Sequence, residues 1–224
     1  MQQTALKATD TAVEPDETPR VPSYEFTQDW FSNHIPTWDG ILARLQPRRV
    51  MEIGSYEGLS TTYLIEKCTS FGPLQLHCVD TWQGAVDLPP ELMAGVEARF
   101  DANVAVAIGN AGAGVSLQKV KQRSNVALAA KIAAGEALFD LIYVDGSHTA
   151  ADVLTDAILA FQLVRVGGVM IFDDYLWSME PALSVDPLNL PKPAIDAFAA
   201  IFMRKVRVLP DLPNTQCYIE KIAD

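Results

Sequence analysis

Three aspartates that follow predicted strands carry the most distinctive chemistry of the chain. Asp145 follows the apolar run 141–144, and Asp173 and Asp174 follow the apolar run 169–172. Parallel strands place their carboxyl ends at one edge of a sheet, so these carboxylates should meet there. Carboxylates gathered in this way repel one another, and a hard divalent cation, Mg²⁺ above all, would relieve the repulsion. The alternative is that one or two of them cap helices or bind backbone amides.

A glycine turn and a further acid suggest a nucleoside site at the same edge. The motif EIGSYEG at 52–58 connects a predicted strand to a helix, and its glycines allow the backbone to approach a ligand closely. Tyr56 stands at the middle glycine position of GxGxxG, which disfavours NAD and FAD. Asp80 ends the next strand, where a carboxylate can accept both ribose hydroxyls. A plain strand–helix turn and a helix-capping or solvated aspartate are the alternatives.

The elements that position these residues alternate between strands and helices. We predict strands at 49–53, 74–79, near Val120, and at 141–144, 169–172, 206–209 and 217–219. Helices are predicted at 59–67, from Pro90 through Val104, at 125–137, after a capping box of Thr149 and Asp152, and at 194–202. Such alternation predicts an α/β fold with a mostly parallel sheet, helices on both faces and a C-terminal strand pair.

Composition limits the class of protein. A chain of 224 residues is predicted to form one domain at 23–224, with a disordered tail at 1–22 and an N-terminal helical cover at about 23–46. The net charge of −11 disfavours nucleic acid as a partner. No apolar run approaches the ~20 residues that span a membrane. Three isolated cysteines indicate neither a disulfide framework nor a CxxC metal site, which favours a cytoplasmic location.

Taken together, these residues resemble the class I S-adenosylmethionine-dependent methyltransferases, in particular the metal-dependent small-molecule O-methyltransferases that act on catechols and sugars. The EIGSYEG loop, Asp80 and the segment FDLIYVDGSHTAADVLTDAILAFQLVRVGGVMIFDDY at 139–175 carry the resemblance, which covers about 50–175. It implies a Rossmann-like, doubly wound sheet of seven strands. It also implies S-adenosylmethionine as cofactor and a small hydroxyl compound (sugar, phenol or another natural product) as acceptor. A homo-oligomer is compatible with the sequence.

The resemblance assigns residues by position. The implied cofactor-binding residues are Glu52, Gly54, Ser55, Tyr56, Gly58, Ser60, Asp80, Thr81, Trp82, Ser124 and Asp145. The implied ligands of Mg²⁺ or another divalent cation are Asp145, Asp173 and Asp174. The implied catalytic residues are Asp145 and His148, which replaces the lysine base of the catechol enzyme. A structural His148, a methyltransferase that uses no metal, and a non-catalytic adenosine-binding module are the alternatives; a nicotinamide enzyme is less favoured.

Other aromatic and imidazole side chains receive weaker assignments. His34 is predicted to be a surface or packing histidine, although the N-terminal helices of this fold often close over the cofactor. Tyr175 and Trp177 follow the Asp173–Asp174 pair, and they either wall the acceptor pocket or pack beneath the proline-rich segment 181–193.

Overall fold

The structure is a computed structural model, and it describes residues 23–84, 91–112, 114–178 and 186–224. The predicted tail at 1–22, the helix start at Pro90 and most of the first half of the proline-rich segment lie outside the described residues.

Among the described residues, seven strands form one sheet in the order β3-β2-β1-β4-β5-β7-β6. They are β1 (Arg49–Ile53), β2 (Leu74–Asp80), β3 (Val115–Lys121), β4 (Phe139–Val144), β5 (Val164–Phe172), β6 (Val206–Val208) and β7 (Cys217–Lys221). The first five pair in parallel, whereas β7 runs antiparallel to both β5 and β6. The predicted Rossmann-like, doubly wound sheet with its C-terminal antiparallel pair is therefore confirmed.

Six α-helices in the described ranges cover the two faces of this sheet. They are α1 (Ile35–Leu45), α2 (Leu59–Cys68), α3 (Val96–Ala111), α4 (Ser124–Ala133), α5 (Ala150–Leu163) and α6 (Pro191–Ile201). Helices α1–α3 contribute to one hydrophobic core, and α4–α6 contribute to the other. In β4, Leu141 and Tyr143 join the first core while Ile142 and Val144 join the second. This alternation explains why a strand covered on both faces is apolar throughout.

Two helix starts and one helix cap differ from the prediction. Helix α3 begins at Val96, because residues 91–95, predicted to be helical, form a turn that ends at Gly95 with φ 74°. Helix α6 begins at Pro191 rather than Ala194, because a proline without an N–H is tolerated in the first turn of a helix. Thr149 is the N-cap of α5, but its side chain makes no capping hydrogen bond, so the predicted capping box is wrong. Asp152 instead accepts a hydrogen bond of 3.0 Å from the Ser147 hydroxyl.

The N-terminal segment packs across the edge of the sheet where the parallel strands end. Trp38 of α1 is fully buried, and its ring meets that of Tyr143 edge-to-face with centroids 4.8 Å apart. Glu57, itself buried, accepts hydrogen bonds from the backbone and the hydroxyl of Thr27 and pairs with Arg99. These contacts fasten the segment before α1 to the glycine turn. In the described part of the chain, every helix is too short or too polar to cross a bilayer.

Candidate cofactor cleft and acidic centre

A cleft of about 1200 Å³ opens at the carboxyl ends of the parallel strands. Its walls come from the turns after β1, β2, β3, β4 and β5 and from the N-terminal segment. Most of the residues predicted from the sequence line it, namely Gly54, Ser55, Tyr56, Ser60, Asp80, Thr81, Ser124, Asp145, His148, Asp173 and Asp174. The fold thus brings the proposed cofactor residues and the three aspartates into one continuous space.

The glycine turn approaches the neighbouring strand more closely than any other residue type would allow. Gly54 has φ 84°, and a Cβ at this position would lie 1.9 Å from the backbone oxygen of Asp145. The Gly54 amide donates to Val79, and the Asp145 amide donates to Ile53. The turn therefore links β1 to the ends of both β2 and β4, and only glycine fits there.

Asp80 holds the glycine turn at the end of β2. Its Oδ2 atom accepts hydrogen bonds from the backbone amides of Ser55 at 2.8 Å and Tyr56 at 3.0 Å. Its Oδ1 atom accepts one from the amide of Trp82 at 2.7 Å. A carboxylate oxygen has room for a further donor, so these bonds orient Asp80 without exhausting its capacity to accept.

Three predicted cofactor residues do not line the cleft: Glu52, Gly58 and Trp82. Glu52 is wholly buried and accepts hydrogen bonds from the hydroxyls of Ser55 and Ser60, each at 2.6 Å, and from Thr61. Burial raises the pKa of Glu52, and the hydroxyls oppose that rise. Because its oxygens face helix α2, Glu52 supports the turn from behind.

Gly58 and Trp82 also support the cleft from outside it. Gly58 precedes α2 with φ 82°, and a Cβ there would lie 3.0 Å from the ring of Phe100. Trp82 packs on that same ring with centroids 4.9 Å apart, and its indole nitrogen donates to the Tyr56 carbonyl at 3.0 Å. Trp82 thus packs behind the glycine turn rather than lining the cleft, as a cofactor-binding role would require.

The acidic centre groups Asp145, Asp174 and His148 rather than the three aspartates. Ligand atoms of these three side chains all lie within 4.8 Å of one another. The Nε2 atom of His148 is 2.7 Å from Oδ2 of Asp174, and its ring packs against that of Trp177 in a tilted arrangement with centroids 4.2 Å apart. Two carboxylates and an imidazole can bind a divalent cation, and the imidazole widens the choice beyond Mg²⁺ to transition metals.

Asp173 turns to a different set of partners. The buried Tyr143 hydroxyl donates to Asp173, and it lies 3.1 Å from Oδ2 of Asp145. The Asp174 amide donates to Oδ1 of Asp173 at 2.8 Å, and Nε2 of His34 lies 3.9 Å from that atom. Asp173, predicted as a metal ligand, thus bridges Tyr143 and the N-terminal segment in this structure, and its role as a ligand stays a prediction.

Burial and like charges set the protonation of these acids. Burial raises the pKa of Asp145 well above its ordinary value, and the charges of Asp173 and Asp174 raise it further. Burial and the charge of Asp174 also raise the pKa of Asp173, against the Tyr143 hydrogen bond and His34. A cation held between Asp145 and Asp174 fits this electrostatic environment.

Two functional candidates escaped sequence reasoning. His34, predicted as a surface or packing histidine, lines the cleft. The one indication of this position in the sequence was that the N-terminal helices of this fold often close over the cofactor. Tyr143 lies inside an apolar strand, where nothing marks its hydroxyl as a partner of two acids. Trp177 lines the cleft, which is the first of the two positions predicted for it. Tyr175 instead donates a hydrogen bond of 2.6 Å to Asp196 on helix α6.

Comparisons with known proteins agree with this architecture. Residues 51–175 match a family model described as "Methyltransferase domain". No curated protein matches the sequence. An O-methyltransferase from Bacillus cereus in complex with SAH superposes with a TM-score of 0.60 at 15% identity, over 90% of this chain and 84% of that one.

Two further solved structures are similar. The O-methyltransferase TomG from Streptomyces achromogenes, in complex with SAM, gives a TM-score of 0.57 at 18% identity, over 84% of this chain and 78% of that one. The methyltransferase MycE of the mycinamycin pathway, in complex with Mg and SAH, gives 0.53 at 22% identity, over 88% of this chain and 51% of that one. The chain belongs to this family of methyltransferase domains, and its sheet has the architecture of the class I S-adenosylmethionine-dependent enzymes.

Proposed function

We propose that the protein transfers a methyl group from S-adenosylmethionine to a hydroxyl oxygen of a small molecule, with the assistance of a divalent cation. The observation that carries this proposal is the single cleft that joins the Gly54 turn and Asp80 to the acidic centre of Asp145, His148 and Asp174. SAM, SAH and Mg in the solved structures named above support it.

The cofactor assignment follows the order of the strands. The turn after β1 offers backbone close to a ligand, and Asp80 at the end of β2 offers a carboxylate to ribose hydroxyls. Ser124 follows β3 and lines the same cleft. The nucleoside therefore lies toward β2 and β3, and the sulfonium lies toward β1 and β4, beside the acidic centre.

Asp145 and Asp174 would hold the cation, and His148 has two possible roles beside it. When bound, a divalent cation would coordinate the acceptor hydroxyl and lower its pKa. His148 either completes the ligand set through Nε2 or takes the hydroxyl proton as general base, and one nitrogen atom cannot do both at once. Its contacts with Asp174 and Trp177 fix the ring at the edge of the centre in either role.

The charge of the cleft indicates the class of acceptor. Arg123 is the only lysine or arginine among the described residues that line the cleft, and it follows β3 at the nucleoside side. Trp177 lies against His148 of the acidic centre, and Asp29 and Trp30 line the same cleft. Acids and aromatic rings suit a neutral or cationic hydroxyl compound, and they oppose an acceptor that carries a phosphate or carboxylate.

The test is methyl transfer from labelled S-adenosylmethionine to three catechols of similar shape and different charge. We expect dopamine and catechol to be methylated with higher kcat/KM than 3,4-dihydroxybenzoate, and a chelator to abolish the transfer to each. Undiminished transfer in excess chelator would leave the metal-independent alternative. Cofactor binding without transfer to these catechols or to a panel of sugars would support the non-catalytic module. The cytoplasmic location and the homo-oligomer stay predictions.

A further inference from the structure

One residue of the loop that carries Asp174 turns away from the cleft. Four of the five residues at 173–177 line the cleft, and the exception is Tyr175. Tyr175 is half-buried and packs against the hydrophobic core to which helix α6 contributes. A side chain that follows Asp174 directly but faces another part of the molecule can act on the acidic centre only through the backbone that it holds.

Tyr175 is anchored on two sides. Its backbone amide donates to the carbonyl of Thr215, before β7, at 3.0 Å. Its hydroxyl donates to Oδ1 of Asp196 at 2.6 Å and accepts from Nζ of Lys192 at 3.0 Å. The Lys192 ammonium also lies 4.6 Å from the centroid of the Tyr175 ring, and Lys192 and Asp196 form an ion pair one turn apart on α6. The loop is therefore fastened both to helix α6 and to the chain before β7.

The backbone conformation of Asp174 requires neighbours that hold it. Its φ of 56° lies in the left-handed region, which a residue other than glycine keeps only where the surrounding structure enforces it. On one side of Asp174, the Asp173 amide donates to the carbonyl of Val144 at 3.0 Å. On the other side stands Tyr175 with its anchors. Between these two fixed residues, the Asp174 carboxylate meets Nε2 of His148 at 2.7 Å.

We propose that Tyr175 is a positioning residue, which holds Asp174 in the orientation that binds the divalent cation and so sets cation affinity from outside the cleft. This inference rests on the proposed function, which supplies the cation. Without the hydroxyl anchor, the loop can relax from the left-handed conformation, and the Asp174 carboxylate moves relative to Asp145 and His148. Residues that orient metal ligands typically change metal affinity by ~10–100-fold when they are substituted. Because Tyr175 acts through the backbone, we expect an effect at the lower end of this range.

The experiment measures Mn²⁺ binding by electron paramagnetic resonance on protein saturated with S-adenosylhomocysteine. Tyr175→Phe removes the hydroxyl and keeps the ring, and we expect its dissociation constant for Mn²⁺ to rise about tenfold. Its affinity for S-adenosylhomocysteine should stay unchanged, and excess Mn²⁺ should restore methyl transfer because the ligands themselves are intact. The matched control is Tyr63→Phe, which removes a tyrosine–aspartate hydrogen bond of 2.9 Å on helix α2 and should bind Mn²⁺ as the wild type does.

A double-mutant cycle tests whether the contact with α6 is the cause. Asp196→Ala should also weaken Mn²⁺ binding, and the double variant with Tyr175→Phe should bind no more weakly than the weaker single variant, since both changes break one contact. Single effects that multiply in the double variant would contradict this origin. Should Tyr175→Phe fail to fold, Asp196→Ala on the exposed side of α6 tests the same anchor.

The outcomes separate this inference from the proposed function. A wild type that binds no Mn²⁺ would remove the cation from the proposed function, and this inference with it. If the wild type binds Mn²⁺ and Tyr175→Phe binds it equally well, the cation stands and the role of Tyr175 is overturned. An equal loss of affinity in Tyr63→Phe would show a general effect of stability, and it would overturn the positioning role too.

Discussion

Nε2 of His148 lies 2.7 Å from Oδ2 of Asp174, so the imidazole predicted as a general base contacts a predicted metal ligand. The two side chains come from different strand ends, β4 and β5, and the parallel pairing of those strands brings them together. Any account of catalysis must therefore treat the base and the cation site as one unit, and the first predictions concern this unit.

Removing the charge of Asp174 should abolish methyl transfer and leave cofactor binding intact. Asp174 has φ 56°, a left-handed conformation that asparagine tolerates better than alanine, so Asp174→Asn is the suitable variant. Its affinity for Mg²⁺ or Mn²⁺ should fall, while calorimetry with S-adenosylhomocysteine should give an unchanged dissociation constant. Chelation of the wild type should reproduce this result. Full activity of Asp174→Asn would count against a cation in the mechanism.

Substitution of His148 should separate the base from the ligand. If His148 is the base, His148→Ala should lower turnover by ~10²–10⁴-fold with unchanged metal affinity. If it is a ligand, metal affinity should fall as well, and excess metal should restore part of the activity. Activity is measured as a function of metal concentration with an acceptor that the wild type methylates. Unchanged turnover in a folded His148→Ala protein would remove this residue from the chemistry.

Cofactor binding should depend on Asp80 more than on an ordinary surface acid. A ligand at 100 times its dissociation constant adds ~2.7 kcal/mol to native stability, so S-adenosylhomocysteine should raise the melting temperature. Asp80→Ala should reduce this shift and also lower stability, because three backbone amides lose their acceptor. Asp101→Ala, which removes an exposed partner of Lys119, is the control. A rise in melting temperature with NAD⁺ and none with S-adenosylhomocysteine would overturn the cofactor assignment.

The Tyr143 hydroxyl should stabilise the acidic centre most when no cation is present. Burial and the charges of Asp145 and Asp173 raise the pKa of Tyr143 well above its ordinary value, so it remains a donor. Tyr143→Phe leaves the two carboxylates without that donor, and we expect a loss of roughly 1–3 kcal/mol in urea unfolding. Mg²⁺ should reduce the loss. Tyr63→Phe, whose hydroxyl donates to Asp39 at 2.9 Å away from the centre, should show no effect of Mg²⁺.

Asp156, a buried aspartate of helix α5, should make the cofactor-free protein less stable as the pH rises. Its folded-state pKa of about 6 exceeds the ordinary value of 3.8, so the folded state binds the proton more tightly than the unfolded state does. The contribution to stability is therefore present below about pH 4 and is lost as the pH rises through about 6. Relative to Asp156→Asn, the wild type should lose roughly 2–3 kcal/mol over this window. A constant difference between the two proteins would contradict the buried, ionised carboxylate.

The order of the elements and the edge at which the chemistry occurs follow from local patterns in the sequence. Apolar runs at 141–144 and 169–172 predict buried parallel strands, and the rule that such strands end together places Asp145, Asp173 and Asp174 at one edge. The same rule brings Gly54 and Asp80 to that edge. These inferences need only local patterns and the topology that the patterns imply, and the structure places all five residues in one cleft.

The direction in which the side chains at that edge point depends on how the elements pack in the folded protein. Glu52 alternates with Met51 and Ile53 along β1, so it faces α2 and binds hydroxyls behind the turn rather than lining the cleft. Asp173 faces Tyr143, whereas Asp174 has a left-handed backbone conformation and contacts His148.

Contacts between residues that are distant in the sequence could not be predicted from local patterns. His34 and Asp173 are far apart in sequence, as are Ser124 and Asp156, and no local pattern connects either pair. Only the packing of the N-terminal segment over the strand ends, and of α4 against α5, brings them together. The end of a strand can be located from sequence because the apolar pattern of a strand is local. The hydrogen-bond partner of a side chain depends instead on which distant element packs against it.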